Sequence, residues 1–190
     1  ITALIGLHLR QPQILLWSES ATPLHFNSAL NFVLFGVTFL LIARREYFWS
    51  RTVAFFPLGI SLVTLSQYLW KCDLGIDQIF FDDFITEPNH FPGRMSPNSL
   101  VCGILLSIAL IINSLQRVHS RFKTYLLIFL GSTVFALGMT AALGYLSGLS
   151  TTYSWGELTH MPLQSAIGFA VSGKSITLYS WLRERDRQST

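Results

Sequence analysis

The chain has 190 residues, 51% of them hydrophobic, 14% aromatic and only 12% charged, with a net charge of +3; soluble domains usually carry about 25% charged residues. Disorder is excluded, because there is ample apolar surface to bury. So is a nucleic-acid-binding role, because the basic residues sit in short clusters between apolar runs and form no continuous basic face. The expectation is an all-α protein, a polytopic transmembrane helical bundle in contact with the lipid bilayer.

Residues 1–10, "ITALIGLHLR", are too short to span a bilayer and lack the charged start of a signal peptide. They read as the outer end of an incomplete first transmembrane helix, followed by an outer loop over 11–25. A hydrocarbon core about 30 Å thick needs about 20 apolar residues in a helix. Five stretches approach this: Phe26–Ala43, Val53–Trp70, Ser99–Leu115, Tyr125–Leu146 and Pro162–Leu182. Together they make a five-helix transmembrane core over 26–182, with an outer loop over 71–97 and a signalling linker beginning at 183–190.

The connections alternate in charge. Arg44, Arg45 and Arg51 lie in one, Arg117, Arg121 and Lys123 in another, and Arg183, Arg185 and Arg187 in the tail. The loop 71–97 instead holds Asp73, Asp77, Asp82, Asp83 and Glu87 against Lys71 and Arg94. Because Lys and Arg favour the cytoplasmic face, the basic segments are expected inside and the acidic loop outside, in a bacterial inner membrane with a cytoplasmic C-terminus. Trp17, Trp49, Trp70, Trp155 and Trp181 fall near the expected boundaries, where indole has one wet and one apolar side.

Three helix mouths on the outer side repeat one pattern: "HFNSALNFVLFG" from His25, "SPNSLVCGILLS" from Ser96 and "PLQSAIGFAVSG" from Pro162. In register they align Asn27, Asn98 and Gln164, then Ser28, Ser99 and Ser165, then Gly36, Ser107 and Gly173. Leu24, Met95 and Met161 each precede the carboxamide by three. The outward helices match as well, "LSQYLW" (Leu65–Trp70) beside "LGYLSG" (Leu143–Gly148). The unit is an outward helix, an outer loop and an inward helix, present three times with the first incomplete. One reading of the Asn/Gln–Ser pairs is helix capping with close helix packing. The other is that three polar mouths converge on a ligand pocket at the repeat interface.

"DLGIDQIFFDDFITEPNHFPGRMSPNSLVCGILLSIALI" and "LGYLSGLSTTYSWGELTHMPLQSAIGF" resemble the N-terminal membrane-integral sensor region of bacterial signalling proteins. In those proteins it precedes PAS, histidine kinase or diguanylate cyclase modules. The likeness runs from about Leu24 to Leu182. It implies an inner-membrane input domain of a six-helix type, working as a homodimer within a signalling protein, and it implies no particular ligand. Two positions depart from it. His160 stands where Arg is expected beside Met161, as in Arg94–Met95, and Lys174 stands where an apolar residue is expected.

Arg94 follows the turn "FPG", and its guanidinium would hold a carboxylate or phosphate through two hydrogen bonds; the competing reading is a salt bridge to Asp73, Asp77, Asp82 or Asp83. With Asn27, Asn98, Gln164, His160 and Lys174 it makes up the candidate ligand-binding set. Lys174 falls mid-span, where a Lys costs roughly 3 kcal/mol on insertion scales. It either reaches the interface or a carbonyl, or serves as an anion site; a Schiff base lacks a carboxylate counter-ion within the spans. His25, His90, His160, Met95 and Met161 offer donors that suit haem or copper, though no pair has tight ligand spacing. "DLGIDQIFFDDF" reads as a short amphipathic surface helix without calcium-loop spacing. Cys72 and Cys102 are distant in sequence, and a bridge between them is a minor alternative.

No nucleophile triad, phosphate loop, HExxH or dinucleotide fingerprint is present, so catalysis within these residues is not expected. The reading is a membrane-embedded sensory input domain that passes an outer-side or intramembrane stimulus through its last helix to a cytoplasmic output module. The alternative is a non-catalytic integral subunit of a larger redox or photosynthetic membrane complex, packed against other membrane subunits with haem, quinone or pigment as cofactor. The sequence itself requires no cofactor. Transport is disfavoured by the lack of intramembrane carboxylates.

Overall fold

Five α-helices and one 3-10 turn make up the secondary structure of the described residues, which are 24–77, 93–115, 120–153 and 159–188 of a computed structural model. The helices are α1 (Phe26–Ala43), α2 (Tyr47–Trp70), α3 (Pro97–Ser114), α4 (Arg121–Ser147) and α5 (Leu163–Gln188), with the 3-10 turn at Ser150–Thr152. Among the described residues there is no strand, and the all-helical expectation holds. Helices α1 to α4 are long and apolar enough to cross a membrane. Helix α5 is not among them: Gln164, Ser165, Ser172, Lys174 and Ser175 dilute its first half, and its last turns are charged.

The α1 boundaries coincide with the apolar run, whereas α2 begins at Tyr47 rather than Val53 and α5 continues to Gln188 rather than Leu182. Hydropathy marks the hydrocarbon core only. The helical hydrogen-bond ladder runs on into the interface, where exposed Trp49 and Trp181 sit near the ends. Trp70 is likewise exposed at the end of α2, while Trp17 and Trp155 lie outside the described residues. Helices α2 and α4 stop at left-handed caps, Lys71 (φ 50°) and Gly148 (φ 70°).

Each outward helix wedges between inward ones: α2 packs against α1 and α3, and α4 against α3 and α5. Small residues permit this. A Cβ at Gly138 would stand 2.6 Å from the Ala170 nitrogen, and one at Gly173 would stand 2.5 Å from the Gly131 carbonyl oxygen. The core between the helices contains Phe35, Leu106, Leu110, Val134, Phe169 and Ile176. The outside is equally apolar, with Leu40, Phe55, Phe129 and Leu146 exposed. In water such a surface would be a liability; against lipid it costs nothing.

The two ends of the bundle differ chemically. At one end Ser50 and Ser114 share a 2.7 Å hydrogen bond, and Lys123 Nζ donates to the carbonyls of Leu115 (2.6 Å) and Asn113 (3.3 Å) at the end of α3. Thr124 donates to Glu184 at 3.3 Å. These contacts gather the Arg44–Arg51 turn, the start of α4 and the basic end of α5 on one side. The other end carries Asp73, Asp77 and the starts of α1, α3 and α5.

Candidate functional site

The three inward helices begin at the same repeat position. Phe26, Pro97 and Leu163 are their first residues, the carboxamides Asn27, Asn98 and Gln164 their second, and Ser28, Ser99 and Ser165 their third. The pairs therefore lie inside the first turn and are not the caps. In α3 the cap is Ser96, whose Oγ accepts from the Ser99 N–H at 3.3 Å, with Pro97 next to it. In α1 the N-cap is His25, without a side-chain cap bond. Leu24, Met95 and Met161, just ahead of each pair, are buried.

Arg94 is 1% exposed and held within the fold. Its Nε donates to Asp77 Oδ2 at 2.8 Å, and its Nη2 donates to Asp73 Oδ1 and Gln67 Oε1, both at 3.3 Å. Its guanidinium carbon lies 5.4 Å from the centre of the Tyr68 ring. Gln67 closes the group, donating from Nε2 to Asp77 Oδ2 at 3.1 Å and accepting the Leu74 N–H at 2.8 Å. Of the two readings of Arg94, this geometry is that of the salt bridge, with Asp77 and Asp73; Asp82 and Asp83 lie outside the described residues. The surface helix expected over 73–84 is also only partly described, and its described part is a turn that tucks Asp77 inward.

The outward helix of the third repeat makes the same frame with different filling. Tyr68 donates its hydroxyl to the Met95 carbonyl at 2.9 Å, and Tyr145 donates to the Met161 carbonyl at 2.7 Å. In the third repeat Gly144 takes the place of Gln67, and His160 that of Arg94. There Tyr153 stacks on Tyr145 at 4.0 Å and receives His160 edge-on at 5.5 Å. The repeat seen in the sequence is thus a repeat of contacts.

The mouths touch one another. Asn27 donates to the Ile76 carbonyl at 3.3 Å. One turn further in, Asn31 donates to Ser61 Oγ (3.4 Å) and approaches Met95 Sδ (3.7 Å). Tyr68 reaches across to Thr159 Oγ1 at 3.1 Å. Asn27 and Asn98 are buried and Gln164 is half-buried. Ser28, Asn31, Thr64, Asn98 and Ser165 each carry a buried side-chain oxygen that has no hydrogen-bond partner among the described residues. Sequence reading passed over Asn31, Ser61 and Thr64 because they sit within apolar spans. The signal was their spacing: Asn31 lies four after Asn27, and Ser61, Thr64 and Gln67 share one face of α2.

Other candidates stand apart. Lys174 is exposed on α5, ten residues beyond Gln164 and so about 15 Å along the axis; it does not join the polar mouths. His25 is buried and His160 half-buried, His90 lies outside the described residues, and the two methionines are core residues. Among the described residues no group of three or more His, Cys, Asp or Glu is placed to hold a metal ion. Cys72 and Cys102 are unbridged. Compared with known proteins, the chain matches no family model, no curated protein and no solved structure.

Proposed function

We propose that this membrane-embedded helical bundle is the sensory input domain of a bacterial signal-transduction protein, working as a homodimer in the inner membrane with its basic end in the cytoplasm. The stimulus acts on the buried polar mouths, and α5 carries the response to an output module. The observation that carries this reading is a set of buried, unpartnered oxygens on Ser28, Asn31, Thr64, Asn98 and Ser165 at one end of the bundle, with α5 leaving that end. Each buried oxygen without a partner costs about 1–3 kcal/mol, so a small neutral molecule bearing hydrogen-bond donors would gain affinity by satisfying several. Helix α5 has 26 residues, about 39 Å of continuous rod, and spans from Gln164 to the charged tail. A ligand shifts such a system only through unequal affinity for its two arrangements, and a bias of about 1.4 kcal/mol changes the ratio about tenfold.

The test is a chimera joining the chain after residue 190 to a histidine kinase reporter in bacterial membranes. Asn31→Leu and Asn98→Leu are expected to move basal phosphorylation or abolish its response to membrane-permeant donors, while Phe55→Leu on the lipid side leaves it unchanged. Output indifferent to the polar variants, in bundles that remain folded, rejects the sensory reading and leaves a membrane helical domain of another kind.

A further inference from the structure

Helices α1 and α5 touch near the polar end, where the Phe32 and Phe169 rings are 4.8 Å apart. Toward the basic end they part around an open groove of about 360 Å³, within the roughly 300–1,000 Å³ of small-molecule sites. Phe39 and Ile42 of α1 and the buried Ile176 of α5 make it apolar inside. Arg45, Tyr47, Asn113, Ser175 and Tyr179 give it polar groups. A smaller cleft adjoins it. The two share Asn113 and Tyr179, and the cleft is lined further by Lys123, Ser180, Arg183 and Arg187.

The polar groups say what this paired site takes. Arg45 has φ 63°, a backbone region that favours glycine or asparagine. Its N–H donates to the Ile42 carbonyl at 3.0 Å and the Glu46 N–H to the Leu41 carbonyl at 2.8 Å. This closing turn of α1 fixes the backbone from which the Arg45 side chain enters the groove wall. In the cleft, Ser180 is 3% exposed, and its hydroxyl has no hydrogen-bond partner among the described residues. A hydroxyl flanked by cations calls for an anionic acceptor. The cleft holds about 20 Å³, room for about one water-sized group, so it admits one oxygen of a phosphate and not a whole ion. Charge agrees: at this end Glu46, Glu184 and Asp186, the acids among the described residues, are outnumbered by the arginines of the Arg44–Arg51 turn and the α5 tail.

We propose that the basic end of the bundle binds an anionic phospholipid from the adjoining leaflet. An acyl chain lies in the α1–α5 groove along Phe39, Ile42 and Ile176, and the phosphate sits at its polar edge, between Arg45 and the Ser180–Arg183 cleft. Apolar length and negative charge are both required, and a phospholipid supplies them in one molecule. The exposed Trp49 and Trp181 stand near this end, the depth at which indoles meet headgroups. A second copy of the chain is a poorer occupant, because copies inserted the same way have their basic ends at one depth and would set arginines against arginines. The inference rests on membrane embedding and stands whether or not the domain is a sensor.

The experiment uses the full-length protein in phosphatidylcholine vesicles containing a trace of photoactivatable lipid with a diazirine in its acyl chain. The probe is phosphatidylglycerol in one arm and phosphatidylcholine in the other. After illumination, adducts are mapped by proteolysis and mass spectrometry. The anionic probe is expected to label the peptides around Ile42 and Ile176 several-fold more than the neutral one, while the two label exposed Phe129 of α4 equally. Arg45→Asn keeps a residue that tolerates the left-handed backbone and should cut groove labelling by the anionic probe about fivefold, as expected for one cation at an anionic surface. Arg45→Lys should retain most of it, and Ser180→Ala should lower it. Equal labelling by both probes, unmoved by Arg45→Asn, overturns the proposal and leaves an ordinary lipid-facing surface. No groove labelling by either probe also overturns it, because protein, a second copy included, then fills the groove.

Discussion

The second and third repeats build the same mouth and brace it with opposite chemistry. Both hang the start of an inward helix on a tyrosine hydroxyl, Tyr68 to the Met95 carbonyl and Tyr145 to the Met161 carbonyl. The second then adds a buried ion pair, Arg94 with Asp77, clasped by Gln67 and joined from the exposed side by Asp73. The third substitutes an aromatic pile of Tyr145, Tyr153 and His160. The frame is what the repeat preserves, and the filling is where the two mouths are free to differ. The difference also has a consequence for strength. A buried ion pair is intolerant of losing one member, because the survivor is left charged and desolvated. A ring stack loses only its own contacts.

The sharpest way to break the contrast is Arg94→Met. It leaves Asp77 buried without its cation, and the expected loss is about 3–5 kcal/mol, read as unfolding by denaturing detergent in mixed micelles. The double variant Arg94→Met with Asp77→Leu removes both charges and should recover most of that loss, because a well-packed apolar pair often matches a buried ion pair. If the double variant is no better than the single, Gln67 and Asp73 hold more of the mouth than the ion pair does.

Next in size is a test of the helix seats behind the two mouths. A Cβ at Gly138 would meet the backbone of Ala170 and Ala166 at 2.6 and 2.7 Å, which must shift for it. A Cβ at Gly103 would meet only Ser61 Oγ at 2.7 Å, and a hydroxyl can rotate away. Gly138→Ala should therefore cost about 1–3 kcal/mol of overpacking. Gly103→Ala should cost distinctly less in the same assay. Equal effects would mean that the α2–α3 pair is as rigid as the α4–α5 pair.

How much of this was legible follows from what each residue announces. The span Phe26–Ala43 and the shared register of Asn27, Asn98 and Gln164 were readable, because apolar length and a repeated pattern are local properties. The partner of Arg94 was not, because the acidic segment offers several carboxylates and only the fold brings Asp77 inward beside Gln67. Asn31, Ser61 and Thr64 were hidden by apolar neighbours, although an asparagine within a membrane span is a signal in itself. The start of α2 at Tyr47 was missed because hydropathy falls at Arg51 while the helix does not. Lys174 was legible as unusual, but its exposed side of α5 depends on which helices cover that face.

The shared frame can be tested by Tyr68→Phe and Tyr145→Phe. Each removes the donor to a methionine carbonyl, at about 1–2 kcal/mol where a buried acceptor is stranded. Tyr68→Phe should be the more costly, because its hydroxyl also contacts Thr159 and so ties the second mouth to the third. In the sensory chimera it should also alter coupling between mouths, which Tyr145→Phe should leave closer to wild type.

The smallest effect is expected at His160. Its ring makes one edge contact with Tyr153 and is only half-buried, and aromatic pairs of this kind contribute about 0.5–1.5 kcal/mol. His160→Ala should fall within that range, well short of Arg94→Met. His160→Arg is the more instructive exchange, because it restores the residue found in the second repeat to a mouth that has Gly144 where Gln67 would be needed. Among the described residues no side chain takes the place of the Gln67 clasp there, so the substituted protein should gain no stability, and a half-buried arginine can still reach water. A gain comparable to the loss in Arg94→Met would show that a carboxylate does face this mouth. The distinction between an ionic and an aromatic brace would then belong to residue 160 alone and not to the surroundings that receive it.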